Sequence, residues 1–288
     1  MREVLESIFA QDYPRFEVIV VDDGSTDDSP AIVRSFKGVK LITQKNQGPA
    51  AARNNGIKSA KGDIYLFQDT DAKVFPGWMT KHVEQQQKGH LVVGGSVVPW
   101  NNTLAGMCDH YATWYEYHPQ KEFQEDRYQI SSTNLSVHAS VVKKVGLFNA
   151  TTRWLEDVDY SARLHANGFH IAFDPSNSMA HHDRETWKGF LYHHYRYGYH
   201  APFVRTKESG ARFSGLIPQT RLGALLMIIP LGILHTGFTV WHWLPYHPEV
   251  VLYSPFIFVS KLAHAVGVYD GVKDKVKKGP SANSSTHK

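Results

Sequence analysis

The segment Asp63-Ile64-Tyr65-Leu66-Phe67-Gln68-Asp69-Thr70-Asp71 is an apolar run that stops at two carboxylates one residue apart. The consecutive apolar or aromatic side chains from Ile64 to Phe67 predict a strand buried on both faces. In open α/β sheets ligands bind in the crevice beyond the carboxyl ends of the strands, and an Asp-x-Asp there can hold a divalent cation against a phosphate. Alone, the acids suit a turn or a helix N-cap equally well, because Asp is favoured at both. The flanking segments separate these readings.

Upstream, Val4, Leu5, Ile8 and Phe9 share one stripe of a helix over 2–11, closed by Asp12-Tyr13-Pro14. The β-branched run at 17–21 predicts a strand ending in Asp22-Asp23-Gly24, and 29–36 reads as a helix. A strand over 39–43, a turn at Asn46-Gln47-Gly48-Pro49 and a helix over 50–59 carrying Arg53 and Asn54 lead into the quoted strand. Downstream, 91–98 and 132–137 read as strands and 139–145 as a helix stopped by Gly146, while 107–117 is aromatic-rich and ambiguous. Trp154-Leu155-Glu156-Asp157 opens a helix halted by Asn167-Gly168, and 170–173 is a strand. Acids there favour the positive end of the helix dipole even with no chemistry to perform. The alternation predicts an α/β fold with a mostly parallel sheet flanked by helices.

With Lys+Arg 31 against Asp+Glu 27 the chain is only mildly basic, so no nucleic-acid partner is expected. Cys108 is the sole cysteine, which excludes internal disulfides and a Cys-based zinc site. The helical stretch at 184–205 is crowded with Trp187, Phe190, Tyr192, Tyr195, Tyr197 and Tyr199 and reads as a face packed on the preceding domain or lying at a lipid interface. His181, His182, His193, His194 and His200 gather around it; no pair has the helical HExxH spacing, so surface or aromatic-packing roles are expected.

Residues 222–244 contain no Asp, Glu, Lys or Arg and pass the length test for a membrane span; 250–268 is apolar apart from Lys261 and His264. Arg205, Lys207, Arg212 and Arg221 precede this pair and Lys273, Lys275, Lys277 and Lys278 follow it, so the positive-inside rule puts both ends, and the catalytic domain, in the cytoplasm. A pair lying in the interface is the alternative. The expected organisation is a catalytic domain over 1–215, a membrane-associated hydrophobic region with C-terminal helices over 216–272, and a disordered basic tail over 273–288.

Three acidic sites, Asp22/Asp23, Asp69/Asp71 and Glu156/Asp157, thus follow strands or open helices in order. Together with VVDDGSTD (20–27), NQGPAAARNNG (46–56), DTDA (69–72), Thr133-Asn134, VGLFN (145–149) and LEDVDYSARL (155–164), they make the chain resemble the family 2 glycosyltransferases of GT-A fold, a Rossmann-like sheet, over 3–205. The resemblance implies inverting transfer of a sugar from a UDP- or GDP-sugar to a glycan or lipid-linked acceptor, with Mn2+ or Mg2+ as cofactor. It implies Asp157 as the base with Glu156 positioning the acceptor or loop, and Asp71 as metal ligand with Asp69 at the ribose or the metal. His181 would be a further metal or phosphate contact, and Asp22, Asp23, Asn46, Gly48 and Arg53 would line the nucleotide pocket. The family's opening strand has no counterpart here. Its expected place is between 18–21 and 64–67, so a functional form extended upstream by about ten residues, a strand with its flanks, is expected. A catalytically impaired membrane-associated nucleotide-sugar-binding protein is the alternative. The Q-x-x-R-W motif of processive synthases is absent, which favours single-sugar transfer.

Overall fold

The computed structural model describes residues 1–206, 209–211 and 214–278; Lys207, Arg212 and the tail beyond 278 lie outside the described residues. The chain divides into two compact units, one built from Met1–Trp100 and Tyr117–His182, the other from Asn101–Glu116 and the residues from Asp183 onward. The boundary expected at 215 therefore falls elsewhere. An internal helix and the aromatic stretch after 183 group with the C-terminal helices, because their polar side chains find partners there.

In the first unit, α1 (Arg2–Phe9), β1 (Val18–Asp22), α2 (Ser29–Arg34) and β2 (Val39–Thr43) enclose a small apolar cluster centred on Leu5, Val18 and Val33. β1 and β2 pair in parallel and form a sheet of their own. After α3 (Pro49–Ser59) come β3 (Ile64–Gln68), β4 (Ala72–Val74), α4 (Trp78–Gln87) and β5 (Val92–Pro99). Then follow β6 (Asn134–His138), α6 (Ala139–Val145), α7 (Glu156–Ala166) and β7 (Ala172–His181). The second sheet runs β3-β6-β5-β7-β4, with only β5–β7 parallel. The fold is α/β, but the sheet is mixed rather than mostly parallel: β4, three residues past β3, and β6 run antiparallel to their neighbours. Among the described residues β3 pairs with β6 alone, Phe67 is buried and its other residues are half-buried. The two-face burial read from its composition is realised only in part.

The centre of this sheet is β5. Val92, Val93, Leu135, Val137, Phe173 and Met179 are at most 1% exposed, and burying each contributes on the order of 2 kcal/mol. Gly94 and Gly95 are required by close approach: a Cβ would sit 2.0 Å from Ile130 Cδ1 or 2.1 Å from the Asn177 carbonyl, where the β5–β7 register shifts. Asn134 pins the same place. It accepts from Trp78 Nε1 at 2.9 Å and donates to the Ser96 and Asn177 carbonyls at 3.0 and 2.9 Å.

The second unit is helical, with α5 (Leu104–Trp114), α8 (Trp187–Val204), α9 (Arg221–Leu226), α10 (Ile228–Trp243) and α11 (Val250–Lys278). The run expected as one helix over 222–244 breaks at Met227. Pro230 cannot donate to the Leu226 carbonyl, and its ring crowds that turn. Of the described helices only α11 is long and apolar enough to cross a membrane. α11 lies against α8 through glycines: a Cβ on Gly267 or Gly271 would come within 2.1 or 2.2 Å of the Tyr195 or Tyr199 carbonyl oxygen. Tyr195 and Tyr199 hydroxyls donate to Asp270 and Asp274 at 3.0 and 2.9 Å, and Lys275 Nζ donates to the Pro202 carbonyl at 2.7 Å. The segment 273–278, expected in a disordered tail, is thus helical, because its polar side chains bond to α8; the rest of that expected tail is outside the described residues.

Candidate active site

Two of the three acidic sites, at Asp69 and Glu156, come together at the strand ends of the first unit through Arg53. From α3 its Nη2 reaches Asp69 Oδ1 at 2.7 Å and its Nη1 reaches Glu156 Oε1 at 2.6 Å. Both carboxylate charges hold the guanidinium above its ordinary pKa despite a burial that acts the other way. Asp69 Oδ2 accepts from Thr133 Oγ1 at 2.8 Å. Burial raises the Asp69 pKa, but Arg53, Thr133 and the more distant His181 outweigh it and keep the carboxylate below its usual range. Both oxygens of Asp69 are therefore engaged by the protein.

Arg53 is aimed by the motif around it. Asn54 donates to the Phe148 carbonyl at 2.8 Å and accepts from its N–H at 2.9 Å, so one amide side chain ties α3 to the loop after α6. The Phe148 ring then sits 5.9 Å beneath the Arg53 guanidinium carbon and stacks on Tyr160 at 4.4 Å. On the other side, Leu155 is the one non-glycine residue with positive φ among the described residues, at 63°. This left-handed turn is costly for a branched side chain, and here Leu155 is buried and caps α7. It turns the chain so that Glu156 faces Arg53 while the Asp157 carboxylate, half-buried, accepts from the Val158 N–H at 2.8 Å.

Asp71 differs from Asp69. Its side chain is 44% exposed, and His181 Nε2, at the end of β7, stands 3.6 Å from its Oδ1. The His182 N–H donates to the Asp71 carbonyl at 2.8 Å, which fixes the turn. One oxygen and one imidazole nitrogen facing each other, with one group open to solvent, suit a divalent cation.

The remaining expected residues build the loop beside this site. Asp23 accepts from Gln44 Nε2 at 2.7 Å, Gln47 N at 2.8 Å and Gly48 N at 2.7 Å, so its carboxylate shapes the 44–48 loop. Asp22 caps the next turn by accepting from Ser25 N at 2.9 Å. Gly48 takes φ 93° at the start of α3, open only to glycine, while Asn46 is exposed and its carbonyl accepts from Arg153 at 3.4 Å. The structure thus brings Arg53, Asp69 and Glu156 into contact, sets Asp71 beside His181, and spends Asp23 on its own loop. Sequence reasoning passed over Thr133, Gln44 and Phe148 as site-building residues. Thr133 and Phe148 stood inside quoted motifs, but spacing alone does not tell which motif residues touch.

Residues 1–146, half of the chain, match the sequence model described as Glycosyl transferase family 2. The glycosyltransferase AglE of Haloferax volcanii is 31% identical over 184 residues, which are 60% of this chain and 59% of that protein. The putative glycosyltransferase EpsH of Bacillus subtilis is 30% identical over 128 residues, 43% of this chain and 37% of that protein. The chain thus covers less than two thirds of the length of these relatives. Among solved structures, the mannosyltransferase PcManGT from Pyrobaculum calidifontis, in complex with GDP-Man and Mn2+, superposes with a TM-score of 0.61 at 18% identity. That likeness covers 95% of this chain and 83% of the other. S. aureus TarS gives 0.55 at 19% identity, covering 94% and 52%. At such identities the likeness is one of fold.

Proposed function

The chain belongs to glycosyl transferase family 2, and from that membership we propose that it is an inverting glycosyltransferase. It moves a sugar from a UDP- or GDP-sugar to an acceptor hydroxyl of a glycan or lipid-linked carrier. The observation that carries this reading is the Arg53 bridge, which joins an acid after β3 to an acid opening α7, 16 and 103 residues away in sequence. An ordinary turn or N-cap role for each acid would need no such junction.

In this reading Asp157 takes the proton of the acceptor hydroxyl as that oxygen attacks the anomeric carbon. The new C–O bond forms on the face opposite the departing phosphate oxygen, whose electrons leave with the nucleoside diphosphate, so the anomeric centre inverts in one displacement. Asp71 and His181 would hold Mn2+ or Mg2+, with Asp69 as the firmly held acid behind them. A bound cation supplies positive charge to the leaving diphosphate. Arg53 keeps Asp69 and Glu156 in register, and Asp22, Asp23, Asn46 and Gly48 form a preshaped loop for the nucleoside.

Membrane association belongs to the same proposal and is supported by the second unit's surface. Leu226, Ile233, Trp241 and Leu252 are 67, 58, 68 and 76% exposed, with Arg221 and Lys277 at the flanks. A cytoplasmic catalytic domain follows from those flanks by the positive-inside rule. A further strand between β1 and β3 is also part of it, supported by the single strand partner that each of them has among the described residues.

Transfer from a panel of nucleotide sugars with Mn2+ tests the reading. Asp157→Asn should lower kcat on the order of a thousandfold with donor KM nearly unchanged, because only the transition state uses the base. In calorimetry Asp71→Ala should lose Mn2+-enhanced nucleotide binding. Turnover of Asp157→Asn within about tenfold of wild type, below the span of general-base effects, would overturn the assignment of Asp157.

A further inference from the structure

The second unit contains a cluster that the proposed reaction does not use. Asp109 on α5 is fully buried, and His193 and His194 on α8 are 7 and 5% exposed. These histidines were expected at the surface or in aromatic packing; both pack on aromatic rings, His194 on Phe190 at 5.1 Å and His193 on Tyr197 at 4.8 Å, and both are also buried against a carboxylate. His193 Nδ1 and His194 Nε2 each stand 3.2 Å from the same oxygen, Asp109 Oδ1, and the three donor atoms lie within 4.8 Å of one another.

We propose that Asp109, His193 and His194 form a zinc-class metal site that joins α5 to α8 inside the second unit. Three observations support it. The first is spacing: tetrahedral ligands held about 2.0–2.1 Å from zinc are about 3.3 Å apart, close to the two Asp109–His separations. The neighbouring pair of the same kind, His110 Nδ1 to Asp183 Oδ2, is drawn in to 2.9 Å as a charge-assisted hydrogen bond should be. The second is outer support. Asp109 Oδ2 accepts from the Arg184 N–H at 3.1 Å and Thr113 Oγ1 donates to Oδ1 at 3.2 Å, so the carboxylate is oriented independently of the histidines. The third is burial. All three ligating side chains are at most 7% exposed, so a bound ion would sit away from bulk water and be little screened.

Two imidazoles and one carboxylate select zinc, cobalt or copper over the harder Mg2+ and Mn2+. This separates the site from the one at Asp71, where a single imidazole faces a carboxylate open to solvent. Three protein ligands leave one tetrahedral corner for a water.

The full chain, stripped with chelator, is titrated with Co2+ in the Asp71→Ala background, which removes the other cation site. The expected result is one equivalent bound with the intense visible bands of tetrahedral cobalt. Zn2+ should abolish those bands, and Asp109→Asn and His193→Gln should weaken binding on the order of a hundredfold or more at unchanged far-UV circular dichroism. Absence of tetrahedral bands in the folded Asp71→Ala chain overturns the proposal whatever the other variants do, and leaves a His-Asp-His hydrogen-bond clamp. Bands unaffected by Asp109→Asn and His193→Gln overturn it too. Neither outcome bears on sugar transfer, so failure here and failure of the catalytic reading are distinguishable.

Discussion

In the first unit Leu135, Ile171, Phe173 and Met179 are at most 1% exposed, the buried polar groups beside them are mostly neutral ones such as Ser96, Asn134 and Ser136, and the acids of the site stand at the strand ends. In the second, Asp109, His110, Asp183, His193, His194 and Lys261 are inside, while Leu226, Ile233, Trp241 and Leu252 face outward. Hydrophobic burial accounts for the first arrangement. It accounts for only part of the second, where buried charged groups are held by side-chain hydrogen bonds and large apolar side chains are left outside. The same difference appears among the charges. At the first unit's site a guanidinium spans two carboxylates; the second unit surrounds its buried acids with imidazole and indole, as Trp114 Nε1 does for Asp183 at 2.9 Å.

The sharpest way to break this contrast is to remove the one cation that the first unit buries between acids. Arg53→Met leaves Asp69 and Glu156 facing each other and should cost about 3–5 kcal/mol in urea unfolding. Glu156→Gln added to it should recover part of the loss. A loss under about 0.5 kcal/mol, the range of ordinary surface changes, would mean that the bridge holds nothing together.

A smaller effect tests how dry the first unit's centre is. Burial lowers the His82 pKa from 6.5 to about 4, against opposing contributions from Asn134 and Asp174. A histidine that stays neutral when folded but takes a proton when unfolded makes stability fall as pH drops from 6.5 towards 4. The span of about 2.5 units corresponds to roughly 3 kcal/mol for this group at most. His82→Gln should flatten that part of the stability profile; an unchanged slope would show that His82 is solvated.

The smallest expected change in folding stability is on the second unit's outer face. Leu226→Glu, Ile233→Glu and Leu252→Glu together should alter stability by no more than about 0.5 kcal/mol each, since these side chains have few neighbours to lose. Sedimentation with anionic vesicles should nevertheless fall from largely bound to largely free. Vesicle binding that survives all three charges would remove the lipid reading.

Much of the first unit was legible beforehand. The bounds of β2 and α6 fall where the residues placed them, and β3 ends at Gln68, just ahead of Asp69. Strand direction was not legible, because Val-rich β5 reads the same between parallel and antiparallel neighbours. Nor was the work of Asp23 inside the protein, where its carboxylate holds the 44–48 loop. The acids and Arg53 could be collected from motifs, but not that one side chain joins two of them, since that depends on the turn at Leu155. In the second unit, helix and apolar content were readable, whereas the loyalty of α5 to helices far along the chain was not. Asp109 and Lys261 look like isolated charges until the fold closes.

That loyalty has a consequence for synthesis. α5 leaves the ribosome as an 11-residue segment carrying Asp109, but the imidazoles that satisfy this carboxylate are 84 and 85 residues behind it, and the ammonium that caps Ala112 is 149 residues behind that carbonyl. Until they arrive, the segment has a polar face with nothing to bond but solvent. The two units are also interleaved along the chain, so no single cut yields both intact: ending the chain ahead of α11 would strand the polar side of α5 and α8. The nascent protein has to postpone one whole interior until its last long helix is made.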